Sequence, residues 1–219
     1  MFGVSRFNNR IVVIAGAEHP LGAAMARRLA GFGATVIAVG RDDVALRDLA
    51  RDRPDRIEPL ALRPGRRDVL GLLRDAWGGQ PVDVYLDVMS LCSATTDAQD
   101  YGFGQSAGVA AALVEAIRAG PGYCAMAVPE GGAGPDGLAR AAGFKALVQK
   151  FAQKAPPGRF VGLRLPVSPF DWTEQRLLSA GDALLLLCHP LSRGLANGSV
   201  LHWDGGVAAS LQEQDEGSL

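Results

Sequence analysis

Three things are scarce in this chain: cysteine, unbalanced charge and long apolar runs. Its 3 cysteines, Cys92, Cys124 and Cys188, are odd in number and far apart, each among apolar or small neighbours. That pattern excludes a disulfide framework and a cysteine-based metal cluster and fits buried thiols in a reducing compartment. His189 and His202 have no partners at ligand spacing, so no metal site is expected. The 22 basic and 23 acidic residues leave a formal charge of −1, which supplies no long-range field to draw in nucleic acid or an anionic membrane. Arg51, Arg53, Arg56, Arg63, Arg66 and Arg67 are interleaved with Asp52, Asp55, Glu58 and Asp68 and read as a mixed, solvated face. The longest apolar run, Ala183 to Cys188, is too short to span a bilayer, and Met1 to Arg10 is polar with no signal-like core. The expectation is a cytoplasmic protein that binds neither nucleic acid nor membrane.

What the chain does have is alternation. With 219 residues and 48% hydrophobic content it can bury one sizeable core, and no repeat, low-complexity tract or linker divides it. Ile11 to Ala15 reads as a buried strand, Leu21 to Phe32 as a helix and Thr35 to Val39 as a second strand, which together make a βαβ unit. Helices follow at Asp43 to Arg51, Asp68 to Trp77, up to Ala119, Asp136 to Lys154 and Gln175 to Leu187. Strands fall at Ile57 to Leu62, Val82 to Leu86, Tyr123 to Val128, Phe160 to Leu165 and Ser199 to His202. Near-continuous apolar strands separated by helices imply a parallel sheet covered on both faces. The expectation is therefore an α/β Rossmann-type, doubly wound domain over residues 1–219, with about seven mostly parallel strands and short tails at 1–10 and 207–219.

Specific residues sharpen this. The first strand-to-helix turn reads Ala15-Gly16-Ala17-Glu18-His19-Pro20-Leu21-Gly22, and the last strand reads Gly198-Ser-Val-Leu-His-Trp-Asp204-Gly205-Gly206. The first resembles the Thr-Gly-x-x-x-Gly-x-Gly turn of the short-chain dehydrogenase/reductase family, with Pro20 at the middle glycine. The second resembles that family's closing segment. The resemblance implies a pyrophosphate held at the helix N-terminus by Gly16, His19, Leu21 and Gly22. It also places Lys145 as the lysine of the family's Tyr-x-x-x-Lys pair, holding the nicotinamide ribose. Arg41 follows the second strand, where NADP-preferring members carry arginine, and His19 would add a second basic group, so NADP(H) is the implied cofactor. The alternative for Arg41 is a surface pair with Asp42 or Asp43.

The family's chemistry has no counterpart in these residues. The tyrosine position is Ala141, and no tyrosine lies on that helix. The segment Ala125 to Glu130, where a serine should hold the substrate carbonyl, contains no hydroxyl side chain. Asp87-Val88-Met89-Ser90 stands for Asn-Asn-Ala-Gly, and no asparagine occurs between Asn9 and Asn197 to complete a proton relay. Arg63 replaces the acidic residue expected beside the adenine, Pro166-Val167 replaces Pro-Gly, and the 38 positions from Pro166 to Asp204 leave little chain for a substrate lid. No catalytic residue is therefore assigned. The expected function is a catalytically inactive structural or regulatory subunit of a homo-oligomer, or of a hetero-oligomer with an active relative, docking through the helices around Ser106 to Ile117 and Leu138 to Phe151. Two alternatives stand beside it: an NADP(H)-dependent oxidoreductase with an unconventional donor among Asp87, Tyr101, Glu130 and Asp171, and a nucleotide or small-molecule sensor.

Overall fold

The protein is described by a computed structural model covering residues 7–62, 69–77, 80–92, 99–120, 122–130, 134–166 and 172–203. Strands β1 (Ile11–Ala15), β2 (Thr35–Gly40), β3 (Ile57–Ala61), β4 (Val84–Asp87), β5 (Tyr123–Pro129), β6 (Arg159–Leu165) and β7 (Val200–His202) form one sheet in the order β3-β2-β1-β4-β5-β6-β7. Every described pairing is parallel. This is the Rossmann-type sheet expected from the apolar alternation.

Each of the first six strands leads on to a helix: α1 (Pro20–Gly31), α2 (Asp43–Arg51), α3 (Val69–Trp77), α4 (Gln99–Arg118), α5 (Pro135–Lys154) and α6 (Glu174–Leu187). The central strands β1, β4 and β5 are apolar and buried over nearly their whole length because both sheet faces are covered there. Val12 and Ile14 of β1 point into a core with α1, α2 and α6, whereas Val13 and Ala15 point into a second core with α3, α4 and α5. A strand exposed on one face would alternate with polar residues instead. Pro59 fits β3 because β3 is an edge, where one strand side needs no amide donor. The helix expected from Leu21 begins one residue earlier, since proline suits the first helical position. The start expected for α3 at Asp68, residues 1–6 and 207–219 of the expected tails and the Asp204-Gly205-Gly206 end of the closing motif lie outside the described residues, whereas Phe7, in the expected N-terminal tail, packs against the first core.

The second core is anchored by Phe160, fully buried, with its ring 5.5 Å from that of Phe151 and 6.1 Å from that of Tyr85. Phe160→Ala should lower unfolding free energy by about 4 kcal/mol through lost transfer energy and a residual cavity. Val44→Ala, at a side chain 67% exposed on α2, should change it by less than about 0.5 kcal/mol. Urea unfolding of the two variants checks both values.

Candidate functional site

The sheet changes winding direction between β1, which leads back to β2, and β4, which leads away. In open α/β sheets the crevice beyond the strand C-termini at such a point is where ligands bind. Here the crevice is built on Gly16, whose φ of +85° lies in the left-handed region. A Cβ at this position would stand 2.7 Å from the Met89 amide nitrogen and 2.9 Å from the Val88 carbonyl carbon. Only glycine lets the turn after β1 close against the chain leaving β4. Gly22 plays the matching part on α1, where a Cβ would run into the Gly16 carbonyl oxygen. Gly16 and Gly22 are thus both fixed by close backbone contact.

The turn's amides are largely engaged within the protein. Those of Gly16 and Ala17 donate to Val39 O, and that of His19 donates to Gly16 O. Pro20 has none. His19 is the N-cap of α1, and its Nδ1 accepts from the Leu21 amide at 3.2 Å. Its ring is buried edge-on against Trp172 at 5.4 Å, and Trp172 stacks on Trp203 at 6.2 Å. Trp203 Nε1 donates to Ser179 Oγ on α6 at 3.3 Å. Burial lowers the His19 pKa to about 4, so the imidazole is neutral at pH 7. The resemblance gives His19 a basic role beside a 2′-phosphate; the structure places it as a neutral cap under an indole instead. A diphosphate approaching the Leu21 amide would have to displace this ring.

The opposite wall of the crevice is the C-terminal end of β2. Arg41 is exposed there, as the resemblance requires. Asp42 caps α2, accepting from the Val44 and Ala45 amides at 3.0 Å, and Asp43 pairs with Arg47 on the same helix. The unforeseen group is Glu18. Its Oε1 accepts from the Arg41 backbone amide at 2.9 Å, and its carboxyl fills the space a side chain on Gly40 would take. Nothing local marks this contact, which joins residues 23 positions apart. The residues present therefore fit a dinucleotide unevenly: the ribose end is lined by Glu18 and Arg41, while the diphosphate end is closed by His19.

Beyond β4 the crevice floor is polar but sealed. Asp87 is fully buried, with Oδ2 accepting from the Tyr85 hydroxyl at 2.7 Å and the Ser106 hydroxyl at 2.5 Å, and Oδ1 accepting from the Met89 amide at 3.0 Å. These bonds tie β4 to α4. Ser90, also buried, donates to Ala127 O at 3.0 Å. Cys92 Sγ lies 4.0 Å from Gly16 O, and burial, with lesser help from Glu18 and Asp87, pushes its thiol pKa well up. It is a thiol rather than a thiolate at neutral pH.

The end of β5 is apolar. Ala125, Met126, Ala127 and Val128 of β5 are fully buried. Ala141 stands one turn before Lys145 on α5, and Lys145 is exposed while Phe144, Leu147, Val148 and Phe151 form the buried stripe. At the ends of β5 and β7, Glu130 Oε1 and His202 Nδ1 approach to 3.8 Å, both partly exposed. Arg164 is register partner to both Val128 and His202. The sequence offered Glu130 alone; its nearness to His202 follows only from strand order. Of the other donors considered, Asp87 is sealed, and Asp171 and the Tyr101 side chain lie outside the described residues, as do Arg63 and Val167. Among the described residues no group of three or more His, Cys, Asp or Glu side chains is arranged to hold a metal ion, and no helix is long and apolar enough to cross a membrane.

No protein-family model matches this chain, and no curated protein matches it in sequence. Solved structures do match. A short-chain dehydrogenase from Mycobacterium smegmatis superposes with a TM-score of 0.71 at 16% identity, covering 92% of this chain and 94% of that one. A short-chain dehydrogenase/reductase-family oxidoreductase from Burkholderia thailandensis gives 0.68 at 21% identity, covering 96% and 99%. A short-chain dehydrogenase from Escherichia coli, solved in complex with NADPH, gives 0.71 at 17% identity, covering 91% and 98%. At these identities the likeness establishes the fold: the seven-stranded sheet of this chain is the one found in short-chain dehydrogenases.

Burial is the largest influence on the Asp87 carboxyl and raises its pKa, while the Ser106, Tyr85 and Met89 donors pull it partly back. A carboxyl whose folded pKa exceeds its unfolded value favours folding most below the unfolded value, and that contribution is lost as pH rises through the folded one. Asp87→Asn cannot titrate. Its stability relative to the wild type should therefore improve between about pH 4 and about pH 7. Paired urea midpoints test this, and a difference independent of pH would contradict it.

Proposed function

We propose that this chain is a divergent relative of the short-chain dehydrogenases that carries out no conventional carbonyl reduction and serves as a structural or regulatory subunit of a homo-oligomer or of a hetero-oligomer with an active relative. The observation that carries the reading is the pairing of Ala141 with the apolar, fully buried end of β5. Hydride delivery to a ketone leaves an alkoxide that needs a proton, and a positioned donor contributes about 10²–10⁴-fold to such a step. Lys145 without a tyrosine one turn earlier has nothing to activate.

The surface supports a docking role. On α4 and α5 the exposed positions include Ala111, Ala139, Ala142 and Ala146, with Leu138 and Phe103 projecting beside them. Small residues let another helix pair approach closely, and the two leucine-sized side chains supply an apolar centre. The sheet and both glycine contacts are kept while the chemistry is not, which favours retention of the scaffold for its surfaces.

A second reading, an NADP(H)-dependent oxidoreductase with an unconventional donor, is favoured by the approach of Glu130 to His202 at the strand ends, since an imidazole oriented by a carboxylate can pass a proton. The solved Escherichia coli relative of this fold binds NADPH, and a nicotinamide dinucleotide is the ligand class proposed for this crevice, whether as cofactor or as regulatory signal.

One purified sample separates the readings. A panel of ketones, aldehydes and alcohols with NADH and NADPH should give no turnover within about 10²-fold of ordinary reductase rates. Sedimentation at micromolar concentration should show an oligomer, or a complex once the active relative is added, with an interface above about 1,000 Å². Ala142→Arg should dissociate it while leaving the circular dichroism spectrum unchanged. Normal turnover on the panel would overturn the proposal, and a monomer with no binding to that relative would remove the subunit role.

A further inference from the structure

The 2′ end of the crevice carries a signal that the Arg41 resemblance obscures. In dinucleotide-binding folds the side chain at the end of the second strand decides between a free ribose diol, which a carboxylate accepts, and a 2′-phosphate, which an arginine accepts. In this chain that strand ends in Gly40, which has no side chain, followed by Arg41. The vacancy is filled from the side: the Glu18 carboxyl lies where a Cβ on Gly40 would project, anchored by the Arg41 backbone amide at 2.9 Å.

We propose that Glu18, carried on the glycine-rich turn, does the work of the missing strand-end acid and makes the crevice select a nucleotide with an unphosphorylated ribose, NAD(H) over NADP(H). This rests on the proposed nucleotide reading of the crevice and names its ligand more narrowly. With Oε2 buried against Gly40, the carboxylate offers a ribose hydroxyl the remaining lone pair of Oε1, whereas a 2′-phosphate would bring close to two negative charges against it. Three features decide the balance between Glu18 and Arg41. Glu18 is half-buried and held by a backbone bond, while Arg41 is exposed, so the carboxylate's field is the less screened. That field reaches into the crevice, where after burial it is the next largest influence raising the Cys92 pKa. His19, the other group that could have offset a phosphate, is neutral and turned to the Leu21 amide.

The test is direct binding to the purified full chain, read by nicotinamide fluorescence for NADH and NADPH and by calorimetry for 5′-AMP and adenosine 2′,5′-bisphosphate. The expected result is NADH bound at least about tenfold more tightly than NADPH, and 5′-AMP more tightly than the bisphosphate. Glu18→Gln, which keeps the shape and removes the charge, should bring the NADH to NADPH ratio to near one, and Glu18→Ser should invert it in favour of NADPH. Equal or tighter NADPH binding by the wild type, or a ratio that Glu18→Gln leaves unchanged, would overturn the assignment of Glu18 while leaving the nucleotide site standing. Failure of all four nucleotides to bind would overturn the site and the assignment together.

Discussion

The contact on which this architecture depends is the approach of the Gly16 backbone to the chain at Val88 and Met89. It joins the turn after β1 to the exit of β4 at the point where the sheet reverses its winding, and no side chain fits between them. Once that contact is made, the placement of α1 follows, because Gly22 must lie against the Gly16 carbonyl. So does the position of Asp87, whose carboxyl accepts from the Met89 amide and from Ser106 on α4. The floor of the crevice and the helix opposite it are thus coupled through one glycine.

Around this fixed frame side chains set the lining. The turn after β1 is capped by a neutral imidazole against Trp172, which stacks on Trp203, and the Glu18 carboxylate meets the chain at the end of β2. The end of β5, Ala125 to Val128, is apolar and buried. A frame built from backbone contacts tolerates variation in that lining. Fold and chemistry are separable properties, and the likeness to solved short-chain dehydrogenases establishes the first.

The elements were legible in the sequence because two-sided burial leaves its mark on the central strands: Val12, Val13 and Ile14 of β1 are all fully buried. Gly16 and Gly22 were legible because glycine has a backbone reason to be there. The contacts within the crevice were not legible. Glu18 reaches Gly40 and Arg41, Trp172 covers His19, and Glu130 meets His202, each across a tertiary gap that strand order alone sets. His19 is the instructive case. In the sequence it is a basic residue in a phosphate turn. Burial against Trp172 and the Leu21 amide make it an uncharged acceptor.

The central claim, that the chain's own imidazole closes the phosphate end of its crevice, is tested most directly by the nitrogen chemical shifts of His19 in an NMR titration. The account predicts a neutral ring with Nδ1 unprotonated from pH 7 downwards, titrating only near pH 4. A His19 ring that titrates near its ordinary value of about 6.5, or that carries its proton on Nδ1, would contradict it.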